Sequence, residues 1–367
     1  MGEKLSKIMV IIFFVLIITY TLIGNVIPDK KISETERRVL KQKPKIDFTE
    51  VLSGRYSIGL EKYFLDQIFC RDDLRAIKSR FEYSLLGKKD IHNVYYKEGI
   101  ATDIMFENNN SAVDYFNVRI DYLYKKYFEN TECNLYLSVI PDKLYYMSSK
   151  YHLPTFDYNE MMNEIRYNNK EFEYIDLFSK LSLDDYYKMD SHWRQESLLP
   201  IADHILLEMN KKKVSDLEWN KKLATELFYG VYSGQTMLGR KGEELYYMDH
   251  PIFRQCEVIN YESNEKGYIY YLDKIEGRDP YEVFLAGPVA LLTITNLEQK
   301  NNNELVVFRD SFGSSLIPLL VPEYQKITVV DIRYISSDLL SEYITFERQD
   351  VLVIYNVSVI NESSSLK

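Results

Sequence analysis

Residues 305–320 read LVVFRDSFGSSLIPLL and decide the fold class. The first four are a short apolar run with β-branched and aromatic side chains, which is typical of a strand buried on both faces. The last eight, from Gly313 to Leu320, are typical of an apolar helix. A buried strand that leads directly into a helix is the repeating unit of a parallel α/β sheet.

Similar strands and helices alternate along much of the chain. This alternation predicts an α/β fold with a doubly wound parallel sheet that is covered on both faces. The segment 225–300 is punctuated by glycine, rich in tyrosine and short-stranded, so we expect an insertion or cap of irregular β character. The other predicted strands are 94–96, 135–140, 174–177, 327–332 and 351–355, and the other predicted helices are 74–85, 113–127, 201–209 and 339–344.

Composition limits the classes of function. Hydrophobic residues make up 46% of the 367 residues and charged residues 27%, which excludes global disorder. The net charge of −10, from 45 basic and 55 acidic residues, argues against nucleic acid as a partner. The three cysteines, Cys70, Cys133 and Cys256, have no C-x-x-C spacing and stand near no histidine cluster. We therefore expect no disulfide framework, no metal and no cofactor.

Residues 8–23 read IMVIIFFVLIITYTLI, without a charge or a proline. Extended to Ile27, this run approaches the roughly 20 residues that cross a bilayer core. The alternatives are a buried core helix and a cleaved signal peptide, and the exit of the run lacks the small-x-small site that a signal peptidase needs. Lys4 and Lys7 precede the run, so we predict a cytoplasmic tail and a single transmembrane anchor over residues 1–28.

The charged, proline-spaced residues 29–48 then predict an extended stalk, and residues 49–367 a globular domain. With an anchor of this orientation, the predicted location is the cell membrane, with one span and the globular domain outside the cytoplasm.

His192 is the histidine with the most informative setting, because Asp190 stands two residues before it in the run YYKMDSHW. Residues two apart on an extended segment face the same side, so the carboxylate can orient the imidazole as in a catalytic triad. Trp193 would form a wall of such a site. A purely structural contact between Asp190 and His192 is the simpler interpretation.

Ser311 is the candidate nucleophile, because it stands where the strand 305–308 turns into the helix. This turn holds the hydroxyl at the C-terminal edge of the sheet, where α/β sites lie, and the Ser311 amide is the favoured donor to an oxyanion. The flanking residues do not match the G-x-S-x-G elbow of α/β-hydrolases. The simpler interpretation is a serine that caps the helix.

The D-S-H-W block at 190–193, followed by a strand and D-S-F-G at 310–313, resembles the DHHW family of bacterial exported proteins. That family is similar to the alginate O-acetylation proteins of the SGNH-hydrolase-like superfamily. Ser191 departs from the family's name, and the glycine that precedes Asp-Ser in the superfamily is missing. Further blocks that carry the resemblance are Ser33-Glu34-x-Glu36-x-Arg38, Phe69-Cys70-Arg71-Asp72, Leu85-Leu86-Gly87-Lys88, Ile140-Pro141-Asp142-Lys143, Phe228-Tyr229-Gly230 and Asp331-Ile332-Arg333-Tyr334.

The resemblance implies an SGNH-hydrolase-like catalytic domain in which Asp190, His192 and Ser311 match the catalytic triad. The implied activity is O-acetylation of a cell-surface or exported polysaccharide through an acetyl-serine. A multi-pass membrane-bound O-acyltransferase is the implied acetyl donor. The alternatives are a carbohydrate acetylesterase and a non-catalytic scaffold for polysaccharide binding or export. Weaker candidates for binding the oxyanion or the substrate are Gly230, Asn296, Trp193, Arg333 and Tyr334.

Overall fold

The computed structural model describes residues 2–33, 35–239 and 241–367. Several helices begin after an Asp or Asn whose side chain accepts hydrogen bonds from N–H groups of the first turn, as at Asn109, Asp142 and Asp310. The helices are α1 (Gly2–Val26), α2 (Phe48–Leu52), α3 (Arg55–Gln67), α4 (Arg71–Ser84), α5 (Asn110–Leu123), α6 (Lys143–Tyr151), α7 (Tyr158–Asn168), α8 (Leu199–Glu208), α9 (Val231–Thr236), α10 (Ser311–Leu320) and α11 (Val357–Asn361).

The strands lie mostly in the second half of the chain. They are β1 (Ile32–Ser33), β2 (Arg38–Val39), β3 (Asp90–Ile91), β4 (Val94–Lys97), β5 (Ile100–Asp103), β6 (Asn134–Ile140), β7 (Glu173–Ile175), β8 (Asn220–Phe228), β9 (Glu243–Asp249), β10 (Cys256–Asn260), β11 (Glu265–Gly267), β12 (Leu291–Asn296), β13 (Glu304–Arg309), β14 (Lys326–Val330) and β15 (Asp350–Asn356).

The main sheet has eight strands in the order β11-β10-β12-β14-β13-β15-β6-β7. The five strands from β14 to β7 are parallel. Their carboxyl ends therefore meet at one edge of the sheet, which we call the C-terminal edge. The register places Phe308 beside Val330 and Asn356 beside Ile140 at this edge. The predicted run from strand to helix at 305–320 is confirmed as β13 and α10.

Alternate residues of each central strand enter different hydrophobic cores. In β13, Leu305 and Val307 pack in a core shared with α8 and α10. Val306 and Phe308 pack in a second core shared with α5, α7 and α11. All four side chains are at most 2% exposed. Successive side chains of a strand point to opposite faces of the sheet. The two cores therefore cover the sheet on both faces.

The sheet is mixed, which corrects the predicted doubly wound parallel sheet. Strands β10, β11 and β12 pair antiparallel, and β12 continues antiparallel onto β14. All three come from residues 225–300, which the sequence assigns to an insertion or cap. Successive side chains of β12, from Leu291 to Ile294, are all buried. A strand buries both of its faces only inside a covered sheet, so β12 joins the main sheet. The remaining β8 and β9 form a separate antiparallel pair with irregular register.

The predicted N-terminal transmembrane helix is wrong. Residues Gly2–Val26 do form one helix, but none of the helices in the described ranges is both long and apolar enough to cross a membrane. The ring of Tyr20 packs 5.9 Å from the ring of Phe69, and its hydroxyl donates to the Phe69 carbonyl. The same finding contradicts the predicted single-pass location in the cell membrane.

The chain divides into two compact units. The first comprises Met1–Lys97 and Val231–Arg240, and the second comprises Glu98–Gly230 and Lys241–Lys367. The second unit holds the main sheet. Residues 29–48, which the sequence predicts to be a stalk, belong to the first unit, where β1 and β2 pair antiparallel.

Asp66 organises the charged network of the first unit. Its carboxylate accepts from Arg38 Nη1 at 2.9 Å, from Arg38 Nη2 at 2.6 Å and from the Lys41 amide at 2.8 Å. The side chain is 8% exposed, so these bonds replace its hydration. The hydrogen bonds from Arg38 lower the pKa of Asp66 to about 2.

Replacing Asp66 with asparagine should lower the free energy of unfolding by about 1–3 kcal/mol at pH 7, because the buried Asp66 side chain loses its charge-assisted hydrogen bonds from Arg38. A carboxylate with a lowered pKa stabilises the fold above its unfolded-state pKa and loses that contribution as the pH falls through its folded-state pKa. The difference in the free energy of unfolding between wild type and Asp66→Asn should therefore shrink between about pH 4 and about pH 2. Denaturant unfolding of the full chain at several pH values measures it, with the exposed Glu61→Gln as the matched control. A difference in unfolding free energy that stays constant over this pH range would contradict the stabilising role of the Asp66 carboxylate.

Candidate active site

Ser311 stands at the first position of α10, directly after β13. Its hydroxyl therefore lies at the C-terminal edge of the sheet. Asp310 caps the helix, because its Oδ1 accepts from the Phe312 amide at 2.9 Å. Its Oδ2 accepts from the Asn356 amide at 2.6 Å, which ties the cap to the end of β15. The turn that carries Ser311 is thus fixed from two sides, and burial raises the pKa of Asp310.

His192 joins Ser311 and Asp190 in one hydrogen-bonded chain. Its Nε2 lies 2.8 Å from Ser311 Oγ, and its Nδ1 lies 2.6 Å from Asp190 Oδ1. The same Asp190 oxygen accepts from the His192 amide at 3.1 Å. Asp190 is fully buried, so its carboxylate is an acceptor that holds the proton on Nδ1 and leaves Nε2 free to accept the serine proton. The structure brings together the three residues that the sequence singles out.

The imidazole of His192 is held between aromatic rings. The Tyr281 ring stacks on it at 3.9 Å between centroids with an angle of 15° between the planes. The Phe312 ring lies 4.9 Å away on a tilt. The His192 side chain is 13% exposed, so most of its surface is covered by these contacts. The stacking fixes the plane of the ring that must face both Asp190 and Ser311.

Ser315, one turn after Ser311, links the walls of the site. Its Oγ accepts from Trp193 Nε1 at 2.8 Å and from the Tyr281 hydroxyl at 2.7 Å. Trp193 Nε1 also lies 3.1 Å from the Phe312 carbonyl. Trp193 is fully buried, so it supports the site from within and presents no surface to a substrate.

The Ser311 amide is placed to bind an oxyanion. The Phe312 amide donates to the Asp310 side chain, and the Gly313 amide donates to the Asp310 carbonyl at 3.1 Å. Within the described part of the chain, no hydrogen bond occupies the Ser311 amide. The N-terminal end of a helix carries partial positive charge, so this N–H favours an anion beside the serine.

The weaker candidates occupy different places. Gly230 packs on the loop that carries Asp190 and His192, since a Cβ at this position would lie 2.1 Å from the Met189 carbonyl oxygen and 2.6 Å from Asp190 Cβ. Arg333 follows β14 at the C-terminal edge, where its guanidinium binds both oxygens of Asp331 at 2.9 and 2.7 Å. Tyr334 beside it is 50% exposed.

Asn296 lies away from Ser311. It ends β12, which runs antiparallel to β14 with Thr295 beside Lys326. Asn296 is therefore at the edge where the parallel strands begin, opposite the C-terminal edge. Its side chain donates to the Val321 carbonyl at 3.4 Å. It is not positioned to bind an oxyanion at Ser311.

Replacing Gly230 with alanine should displace the loop that carries Asp190, because the new methyl group overlaps the Met189 carbonyl. We expect any reaction that depends on the contacts among Asp190, His192 and Ser311 to lose about a hundred-fold in kcat/KM, since a shift of about 1 Å is enough for such a loss. The matched control is Gly59→Ala in α3, where a Cβ meets only Pro44 at 3.6 Å and alanine favours the helix. Equal activity of Gly230→Ala and wild type would exclude the close approach at Gly230.

Several residues of the site cannot be found from the sequence alone. Tyr281 stands in the segment predicted to be a cap, and it is one of 32 tyrosines, so nothing in its surroundings marks it. Asn356 anchors the serine turn from another strand through its backbone amide, which leaves no signal in the sequence. Asp310 is the exception, since an Asp before the predicted helix is a recognisable cap.

Comparison with known proteins supports the fold. No protein-family model matches the sequence, and no curated protein matches it. Among solved structures, a DHHW family protein from Eubacterium siraeum aligns with a TM-score of 0.55 and 17% identity, over 73% of this chain and 91% of that chain. The chain is similar in fold to a DHHW family protein. The resemblance predicted from the D-S-H-W and D-S-F-G blocks is confirmed at the level of the fold.

Two further structures extend the comparison. PatB1 of Bacillus cereus aligns with a TM-score of 0.56 and 17% identity, over 73% of this chain and 96% of that chain. The O-acetyltransferase domain of Pseudomonas putida AlgJ aligns with a TM-score of 0.39 and 10% identity, over 69% of this chain and 83% of that chain. The fold shared with the DHHW family protein and with PatB1 covers 73% of this chain.

Proposed function

We propose that the protein is a serine O-acetyltransferase that moves an acetyl group to a carbohydrate hydroxyl through an acetyl-Ser311 intermediate. The observation that carries this proposal is the chain of short contacts from Asp190 through His192 to Ser311. A serine hydroxyl is a weak nucleophile until a base takes its proton, and this geometry supplies the base and its orienting carboxylate. The similarity of the D-S-H-W and D-S-F-G blocks to O-acetylation proteins favours acetyl as the group that moves.

In the first half of the reaction, His192 Nε2 takes the proton of Ser311 Oγ as Oγ attacks the carbonyl carbon of the acetyl donor. The developing oxyanion accepts from the Ser311 amide. Asp190 stabilises the imidazolium that forms without taking its proton. When the tetrahedral intermediate collapses, the bond to the leaving group breaks, and the imidazolium gives its proton to that group.

In the second half, a carbohydrate hydroxyl gives its proton to His192 Nε2 and attacks the acetyl-serine. The second tetrahedral intermediate releases Ser311 Oγ, which takes the proton back from the imidazolium. The product is an O-acetylated sugar, and the enzyme returns to its starting state. The proposed acetyl donor is a multi-pass membrane-bound O-acyltransferase, and the proposed acceptor is a polysaccharide, as the resemblance implies.

Acetylesterase activity is the second candidate. It uses the same three residues with water as the acceptor, and the partial exposure of the His192 side chain leaves water a route to the site. A transferase has to favour a sugar hydroxyl over water at the acetyl-serine.

Acceptor dependence separates the two activities. The full-length protein is incubated with a chromogenic acetyl ester, with and without candidate glycans, while chromophore release, free acetate and acetylated glycan are measured. A transferase should shift acetyl from acetate to glycan as the glycan concentration rises. Release of acetate alone with every glycan would favour the esterase, and absence of any Ser311-dependent release would reject both activities.

A further inference from the structure

The triad carboxylate and base stand on one tight loop, residues 187–192, which we call the catalytic loop. Tyr186 and Trp193 pair antiparallel at its base, and the Tyr187 amide donates to the His192 carbonyl at 3.1 Å. The tip of the loop therefore has backbone groups that the loop itself cannot satisfy. Buried backbone groups need partners, and these partners decide where Asp190 is held.

Lys143 binds the carbonyl groups of the catalytic loop. It begins α6, directly after β6, and is 2% exposed. Its Nζ donates to the Tyr187 carbonyl at 2.9 Å and to the Lys188 carbonyl at 3.0 Å. A lysine is seldom buried this deeply unless its charge has a use or a partner.

Glu243 binds the amide groups of the same loop. It begins β9, and its carboxylate accepts from the Lys188 amide at 2.8 Å and from the Met189 amide at 2.9 Å. The loop is thus bound through its carbonyl groups by a cation and through its amides by an anion. Asp190 follows immediately after the residues that these two side chains hold.

The charge of Lys143 faces acidic groups from every element around it. These are Asp103 at the end of β5, Asp142 at the cap of α6, Asp190 on the catalytic loop and Glu243. Burial lowers the pKa of Lys143 to about 7, and Asp190 is the acid that opposes this change most. The ammonium group is therefore electrostatically coupled to the triad carboxylate.

We infer that Lys143 is a positioning residue of the triad, whose ammonium group holds the catalytic loop through two backbone carbonyls and thereby keeps Asp190 placed against His192. This inference rests on the proposed function, because it assigns Lys143 to the same serine chemistry. The Asp190 carboxylate orients the His192 imidazole through a contact of 2.6 Å, so a displaced loop would turn the base away from Ser311.

Three substitutions in the full chain separate charge from hydrogen bonding. Lys143→Met removes both, Lys143→Gln keeps N–H donors without the charge, and Lys143→Arg keeps both. For Lys143→Met we expect kcat for a chromogenic acetyl ester to fall by about ten-fold to a hundred-fold, because the Tyr187 and Lys188 carbonyls lose the ammonium that binds them. KM should stay nearly unchanged, since the buried Lys143 presents no surface to a substrate. Lys143→Arg should restore most of the rate, and Lys143→Gln should lie between the two.

A second readout does not depend on catalysis. The downfield signal of the N–H proton between His192 Nδ1 and Asp190 is followed by NMR in wild type and in Lys143→Met, with the signal assigned by its loss in His192→Ala. We expect this signal to move upfield or to broaden in Lys143→Met, because Asp190 is no longer held against the ring. An unchanged signal, or a loss of kcat that Lys143→Arg does not restore, would overturn the inference, and if Lys143→Met fails to fold, Lys143→Gln decides. Equal ester cleavage by wild type and Ser311→Ala would instead reject the proposed function, and the NMR signal would still decide the role of Lys143.

Discussion

Replacing Ser311 with alanine should reduce acetyl transfer by about 10⁴-fold to 10⁶-fold while leaving the fold intact. Ser311 Oγ is the atom that forms the bond to the acetyl carbon, and alanine offers no substitute for it. The substitution removes one hydrogen bond to His192 at a partly exposed position, so the loss of stability should stay within about 1 kcal/mol. Mass spectrometry after incubation with an acetyl ester should find one acetyl group on wild type and none on Ser311→Ala.

Ser314→Ala is the matched control. Ser314 stands in the same helix, is 1% exposed, and its Oγ has no hydrogen-bond partner among the described residues. Its removal should leave both activity and the acetyl adduct unchanged. A Ser311→Ala variant that acetylates glycan at the wild-type rate would end the covalent mechanism and favour a non-catalytic scaffold.

The local part of the site is predictable from the sequence. The run from β13 into α10 follows from a buried strand, a capping Asp and an apolar helix that are adjacent in the chain. The pairing of Asp190 with His192 follows from a spacing of two residues. Each of these inferences depends on residues that are neighbours in the sequence, where periodicity and capping rules apply.

The distant part of the site is not predictable in the same way. Tyr281 contacts His192 from 89 positions away, and only the packing of the chain brings the two rings together. Asn296 ends an apolar strand, which would place it near Ser311 if the strand were parallel to its neighbours. The strand runs the other way, and strand direction is decided by pairing partners that a single sequence does not reveal.

Helical periodicity also predicts an element without predicting its burial. Leu74, Ile77, Phe81 and Leu85 recur at helical spacing, and α4 covers the first three with Leu85 at its cap. These four side chains are between 42% and 71% exposed, and the buried positions of α4 are Ala76 and Ser79. An apolar stripe usually marks the face of a helix that is buried in a core. Which face is actually buried depends on what packs against the helix.

Replacing His192 with alanine should cause a loss comparable to that of Ser311→Ala, because His192 Nε2 is the base that faces Ser311 Oγ at 2.8 Å. Asp190→Ala should retain a small residual activity, since the carboxylate only orients and stabilises the imidazole. The matched control is His152→Asn, which changes an exposed histidine at a positive φ of 54° where asparagine is tolerated. Steady-state rates with a chromogenic acetyl ester measure all three variants.

The double variant Ser311→Ala/His192→Ala tests whether the two residues act as one unit. If His192 serves only to move the Ser311 proton, its imidazole has nothing to do once the hydroxyl is gone. The double variant should then be at most a few-fold slower than either single variant, although the two single losses together would predict about 10⁸-fold or more. Losses that add in free energy would mean that His192 and Ser311 perform separate tasks. Their distance of 2.8 Å and the contact of His192 with Asp190 on its other side favour the single unit.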